Sequence, residues 1–354
     1  MEEKEVLIVG QGLAGTWLGY WLHKAGISFR VIDQPNPDGA SIRAAGLINP
    51  VTGRRMVTTW MIDELMPFAS SAYKEFGSFL DQQLIEDISV IDFFPSVQML
   101  QAFQKRFDED PEYLTPGDDR EKYAHWFRYE LGWGAISPCL LVNVEKLLTA
   151  WQSWLKMNNQ LTESVFDLSK LRVTQQGVEY SDIQAGYIIF CDGKSSASNP
   201  YFDKLPFALN KGEGMLVEIN ELPQHAVFKK GMSLVPYMEN IFWLGSSYEW
   251  SFENDQPTES FRIQAENWLK HFLKLPYRIL EHFAAIRPAT LERRPFVGFH
   301  PSFPQIGILN GLGTKGCSLA PYFARQLADY LRERKEINIL ADIKRFGKIL
   351  TRPL

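Results

Sequence analysis

A chain of 354 residues can bury two sizeable cores, and 45% hydrophobic with 22% charged residues is an ordinary globular composition. The formal net charge of −5 leaves no basic footprint for nucleic acid or an anionic membrane. Three scattered cysteines without CxxC spacing argue against a disulfide framework or zinc site and suit a cytoplasmic, reducing compartment; the histidines form no HxH or HxxxH pair for a metal.

Along the chain, Val6–Val9 is a short apolar run, as expected of a strand buried on both faces. Gly10-Gln11-Gly12-Leu13-Ala14-Gly15 follows at the turn from strand to helix. In such a GxGxxG turn the first glycine permits the turn and the second lets backbone amides approach a pyrophosphate. The third allows close helix–strand packing. A second strand, Phe29–Ile32, ends in Asp33, where a carboxylate can hold an adenosine ribose. This unit serves NAD and FAD alike. The apolar stretch 6–22 is not read as a signal peptide or membrane span, because Glu2-Glu3-Lys4-Glu5 precedes it and four glycines interrupt it.

Gln34 to Gly39 is a loop by its turn residues. Ala40 to Pro50 is small and nearly uncharged, suited either to backbone passing close to a ligand or to a plain surface loop. Residues 58–80 read as an amphipathic helix, Ile88–Phe94 as a strand, and Arg106–Lys122 as an exposed loop. Val144–Leu155 is a helix; Ser164–Val173, Gly177–Tyr180 and Gly186–Cys191 are strand candidates. From Gly214 to Glu249 strand follows strand (Met215–Ile219, Met232–Pro236, Ile241–Gly245), the pattern of an antiparallel sheet. Phe261–Phe272 is a helix, Ile306–Asn310 a strand, and the helix from about Leu319 to Arg334 follows a glycine-rich turn, Gly311–Gly316. The nucleotide-binding part is thus split along the chain. The expected fold is α/β plus α+β: a Rossmann-like domain from residues 1–55, 140–210 and 288–354, and a mixed, largely antiparallel substrate domain from 56–139 and 211–287.

The series Arg287-Pro288-Ala289-Thr290, Arg294-Pro295-Phe296-Val297-Gly298 and Asn310 to Pro321, taken with the N-terminal unit, resembles the FAD-dependent D-amino-acid oxidase and glycine oxidase superfamily, which includes sarcosine oxidase-type enzymes. Ala44 to Pro50 looks like its second flavin-contacting segment, and Ile189 to Gly193 like its strand-end glycine. The resemblance spans nearly the whole chain and implies FAD as cofactor. It also implies oxidation of a C–N bond in an amino acid or secondary amine, by hydride transfer to flavin N5. The cofactor candidates are Gly10, Gly12, Leu13, Ala14, Gly15, Asp33, Gln34, Ala45, Gly46, Phe166, Gly193, Gly311, Gly313, Thr314, Lys315 and Gly316. Glycines 311–316 would aim amides and a helix N-terminus at the flavin pyrimidine edge, with Lys315 either aiding them or lying in solvent.

Arg287 stands where the family's arginine grips a substrate carboxylate in a bidentate fork; the alternative is a structural arginine beside Pro288. Tyr248, Tyr237 and Asn49 complete the candidate catalytic set. Sarcosine-oxidase-like members carry a lysine over the flavin and a cysteine that attaches it. Ile241–Gly245 has no lysine and no cysteine lies near Arg287 in sequence, so FAD is expected to be non-covalent. The expected partner is a small amino acid or amine, with no nucleic acid and no membrane insertion; nothing signals an oligomeric state. Three other readings stay open: a flavoenzyme modifying tRNA wobble uridine, with Arg54-Arg55, Lys229-Lys230 and Arg293-Arg294 as phosphate contacts; an NAD-binding dehydrogenase; and a flavin-binding partner without turnover.

Overall fold

The computed structural model describes residues 5–351, so Glu2 to Lys4 of the acidic flank lie outside it. Val6–Val9 is central in a six-stranded sheet. On one side it pairs in parallel with Phe29–Asp33, which pairs with Leu161–Glu163. On the other it pairs with Tyr187–Phe190, and beyond that lies Phe303–Asn310, with Phe296–His300 antiparallel at the edge. Chain order therefore reverses between Val6–Val9 and Tyr187–Phe190, and a crevice opens beyond the carboxyl ends of strands at such a switch point.

The period-2 alternation of these strands feeds two cores. Leu7, Val9, Ile188, Phe190 and Ile308 face a three-stranded sheet through Val178, Tyr180 and Ile183. Val6, Ile8, Phe29, Ile189 and Leu309 face the helices Leu13–Ala25, Val144–Met157 and Gly316–Glu333. Trp17, fully buried, is the hub of that helical side, with its ring edge-on to Tyr73 at 4.9 Å and Phe76 at 5.1 Å.

Tyr73 and Phe76 lie on the helix Ile62–Leu80, so this helix packs on the nucleotide-side core although its sequence position assigned it to the substrate part. Leu47–Ile48 and Trp133–Val142 hydrogen-bond in the second sheet, so sheet membership crosses the expected borders at residues 55 and 139. The expected loop at Arg106–Lys122 begins inside the helix Val97–Glu109 and contains the strand Leu114–Pro116. Ser96 caps that helix by accepting from Met99 N–H. Within the expected strand Ser164–Val173 only Leu171–Val173 is extended in a sheet, after a short 3-10 turn at Leu168–Lys170.

The second sheet has nine strands. Its order runs from the edge strand Arg278–Arg287 through Asn210–Glu218, Ile241–Gly245, Met232–Met238, Ala226–Lys230 and Ile85–Phe93 to Trp133–Val142 and Leu47–Ile48. Leu114–Pro116 adds to Trp133–Val142. One face, carrying Met215, Val217, Phe242 and Leu244, packs on the helix Glu259–Phe272. The other face carries Trp243 and Phe283 and looks toward the nucleotide side.

Replacing Trp17 with Ala should leave a large void among aromatic rings that cannot collapse onto it. Unfolding in urea should show a loss of about 3–5 kcal/mol; a loss within 1 kcal/mol would mean that Trp17 is not the hub described.

Candidate active site

A cleft of about 1060 Å³ runs from the switch point to the face of the second sheet. Its first end is built from the N-terminal turn. Gly10 has φ of +98°, and a Cβ there would come within 2.6 Å of the Cys191 carbonyl oxygen, so the two strand ends touch at the crevice. A Cβ at Gly15 would overlap the Gly10 carbonyl oxygen, the close helix–strand contact expected of the third glycine. Gly12 precedes the helix Leu13–Ala25, which has no acidic residue in its first turn. The positive end of this helix therefore meets no acidic side chain of its own first turn, which suits an anion. Gly12, Leu13 and Ala14 line the cleft, whereas Gly15 is internal packing.

Asp33 and Gln34 line the same end, with Phe166 stacked on Tyr180 at 4.6 Å. Asp33 Oδ1 accepts the Gln11 N–H at 2.9 Å. Burial raises its pKa, the Gln11 bond opposes this, and Glu163 adds to the rise. Sequence reading missed Ser41. Its Oγ accepts Leu13 N–H at 3.0 Å and stands 2.9 Å from where a Gly12 Cβ would be. A serine in a run of small residues gives no sign that the loop folds back onto the helix start. Asp192, also missed, accepts from Ser196 Oγ, and burial pushes its carboxyl up to about 6. Asn310 Nδ2 donates to Gly193 O and Ser196 Oγ, both at 2.9 Å, tying the two strand ends together.

Midway, Ala45 and Gly46 line the cleft, and Gly46 (φ +81°) passes so close to Val142 that a Cβ would overlap its carbonyl. Gly193, Gly313, Thr314 and Gly316 line it from the other side. Gly311 turns the chain at φ +74° beneath Thr290 without lining it. Lys315 points elsewhere: its Nζ donates to Thr59 Oγ1 at 3.1 Å, and burial lowers its pKa to about 8, with Arg293 acting in the same direction. The backbone of this turn, and not the lysine side chain, faces the cleft.

Arg287 closes the far end. The strand Asn210–Glu218 places Asn210 opposite Arg287 and Gly212 opposite Ala285. Arg287 Nη1 donates to Asn210 Oδ1 at 2.8 Å and to Ser247 O at 3.2 Å. A Cβ at Gly212 would overlap the guanidinium, so the glycine makes its berth. Among the described residues Arg287 has no ion-pair partner, and burial lowers its pKa from the usual arginine value. Arg43, by contrast, is neutralised by Glu281 at 2.7 Å and Asp38 at 2.9 Å and lies over the Phe283 ring.

The other catalytic candidates are not gathered round Arg287 alike. The Tyr248 ring lies 5.6 Å from the Arg287 guanidinium carbon, half exposed to solvent. Tyr237 is turned away, its hydroxyl donating to Glu145 at 2.5 Å in a separate cavity. It packs on the same sheet face as Val235 and Trp243, but its hydroxyl reaches out to Glu145. Asn49 accepts Val51 N–H at 3.0 Å and serves its own turn. Among the basic pairs, Lys229 is bound to Asp92 at 2.6 Å and Lys230 to the Arg128 carbonyl, while Arg294 lies over Trp60. No group of three His, Cys, Asp or Glu among the described residues could hold a metal ion, and no helix there is long and apolar enough to cross a membrane.

This donor set fits an extended dinucleotide: Asp33 for its ribose, the helix start for its pyrophosphate, and glycine backbone at 46 and 313–316 for a flat ring. Gly12→Val should abolish cofactor binding, because the branched side chain enters the space beside Ser41. Asp33→Ala should only weaken it, since losing a charged acceptor costs roughly 1.5–3 kcal/mol. Flavin content after purification and a flavin titration of the apoprotein measure both; equal effects would mean that the turn is misassigned.

Comparison with known proteins agrees with this geometry. The family model described as FAD dependent oxidoreductase (DAO) matches residues 5–330. The glycine oxidase of Pseudomonas aeruginosa is 28% identical over 174 residues, 47% of this chain, and the match spans about half (47%) of that protein's length. The crystal structure of glycine oxidase from Geobacillus kaustophilus superposes with a TM-score of 0.80 at 19% identity, covering 99% of each chain. Iminodiacetate oxidase from Chelativorans sp. BNC1 gives 0.75 at 18% identity, covering 97% of this chain and 98% of that one. The family match overrules the NAD-binding dehydrogenase that the N-terminal motif alone left open. With its glycine turns, Asp33 at the end of the second strand and this match across nearly the whole chain, the protein belongs to the DAO family of FAD-dependent oxidoreductases.

Proposed function

We propose that this enzyme oxidises the C–N bond of an amino acid or secondary amine whose carboxylate is held by Arg287. One observation carries the reading: a guanidinium at the cleft, without an acidic partner among the described residues, seated on Gly212 and fixed by Asn210 and Ser247. A desolvated cation is costly unless a counter-ion completes it, and a planar carboxylate matches its fork. The three oxidases above are named for substrates that carry carboxylates, glycine and iminodiacetate, which supports the choice.

Bound in the cleft, FAD supplies the hydride acceptor. The chain's own task is positioning. Arg287 fixes the carboxylate end, while Gly212 and Ala285 leave the sheet face bare beside it. Trp243 and Phe283 wall the cleft further along, and the Trp243 indole is held by the Arg43 carbonyl at 3.0 Å. Such chemistry needs an oriented, neutral amine and no dedicated protein acid–base pair.

FAD is held without a covalent bond in this account. Cys191 and Cys317 do line the cleft, which their sequence positions did not reveal, but burial raises the pKa of both thiols, Cys317 to about 12. The thiolate is the attacking form, so neither is an activated nucleophile. All three cysteines are buried and free. Acid precipitation should release all flavin into the supernatant; flavin retained in the pellet would refute non-covalent binding.

Arg287→Met keeps length and bulk but removes the fork. Truncating one side of a desolvated charge pair costs about 2–5 kcal/mol, so kcat/KM should fall roughly 30-fold to several thousand-fold. FAD content should stay normal. Normal turnover by the variant would return Arg287 to a purely structural role.

A further inference from the structure

We propose that Glu213 is a positioning residue for Arg287, acting through the segment 246–258 that wraps the end of the strand Asn210–Glu218. The proposal rests on the carboxylate-binding role of Arg287 argued above. Along that strand the side chains alternate. Asn210 and Gly212 face Arg287, while Lys211 and Glu213 face the opposite side, toward the helix Glu259–Phe272. Glu213 has no exposed surface, and Lys211 is 2% exposed.

Thr258 and Lys211 present donors to the Glu213 carboxylate, and His282 joins them in the tautomer that carries its proton on Nε2. Oε2 accepts Thr258 N–H at 2.6 Å and faces His282 Nε2 at 3.0 Å. Oε1 accepts the Thr258 hydroxyl at 2.8 Å and has Lys211 Nζ at 3.6 Å. Only a carboxylate can accept from all of them; a glutamine would set its own NH₂ against at least one donor. Thr258 also caps the following helix by accepting Phe261 N–H.

The same segment is tied down at its other end. Glu213 N–H donates to Ser247 Oγ at 2.9 Å, and Ser247 N–H donates to Glu213 O at 3.2 Å. Lys211 and Glu249 exchange two backbone bonds at 2.9 Å, and Asn210 Nδ2 donates to Glu249 O. Ser247 O and Asn210 Oδ1 are the two acceptors that fix Arg287. Glu213 therefore holds both ends of the segment whose carbonyl aims the guanidinium, Thr258 by its carboxylate and Ser247 by its backbone, and it neutralises Lys211, while Arg287 has no acidic partner among the described residues.

The geometry and simple Coulomb attraction make opposite predictions. Removing a negative charge near an anion site tightens anion binding if charge alone matters. Loss of positioning weakens it. The test is a benzoate titration of the FAD-loaded enzyme followed by the flavin absorbance change, with FAD content and the thermal midpoint recorded beside it. Glu213→Gln and Thr258→Val should each weaken benzoate about tenfold or more with FAD content unchanged. Thr258→Ser, which keeps the hydroxyl, should restore affinity to within about twofold of wild type. In an Arg287→Lys background Glu213→Gln should add less than about twofold. Should Glu213→Gln fail to fold, Thr258→Val and Thr258→Ser decide the matter. Unchanged or tighter benzoate binding in the Glu213 and Thr258→Val variants overturns the proposal, as does an equal loss in the Arg287→Lys background. No response to benzoate in wild type overturns the carboxylate reading itself, and this proposal with it.

Discussion

A half-buried guanidinium without an acidic partner among the described residues is the feature on which the second sheet is organised. Arg287 is held there because Asn210 and Ser247 both accept from its Nη1, and because Gly212 leaves room beneath it. Each of these depends on one register. Asn210 must stand opposite Arg287, and a slip of one residue would send either side chain to the helix face. The edge strand Arg278–Arg287 and its neighbour are thus fixed by the site as much as by their core residues.

The nucleotide side is governed by contact of another kind. Gly10 and Gly15 are glycines because backbone atoms from other segments occupy the places where their side chains would stand. Closeness at that turn brings the helix start to the crevice between Val6–Val9 and Tyr187–Phe190, and Asn310 joins it to the C-terminal strand. The cleft continues from this crevice past Gly46 to Arg287 without a break. The residues proposed for cofactor and for substrate therefore line one cavity, built from distant parts of the chain.

What was legible in the sequence was local. Strand, glycines, helix and Asp33 lie within one unit, and each carries its signal in its own neighbours. The helix Val97–Glu109 was not legible, because Phe103 is its one buried residue and its charged remainder reads as loop. The strand ending at Arg287 was also hidden: it mixes charged and apolar residues without clean alternation, and only pairing with Asn210–Glu218 makes it a strand. Tyr237 shows the limit most plainly, since its strand position is as expected while its hydroxyl is taken up by Glu145, a partner 92 residues away. Lys315 likewise sits in a motif whose backbone faces the cleft while its side chain reaches Thr59. Ser41 and Glu213 act only through folded neighbours, so no spacing rule points to them.

The most direct test mixes the FAD-loaded enzyme, without oxygen, with matched pairs of compounds: an amino acid and the amine left when its carboxyl group is removed. For at least one pair the acid should bleach the oxidised-flavin band while its amine does so far more slowly at equal concentration. Bleaching by the amine as fast as by the acid would contradict the role given to Arg287.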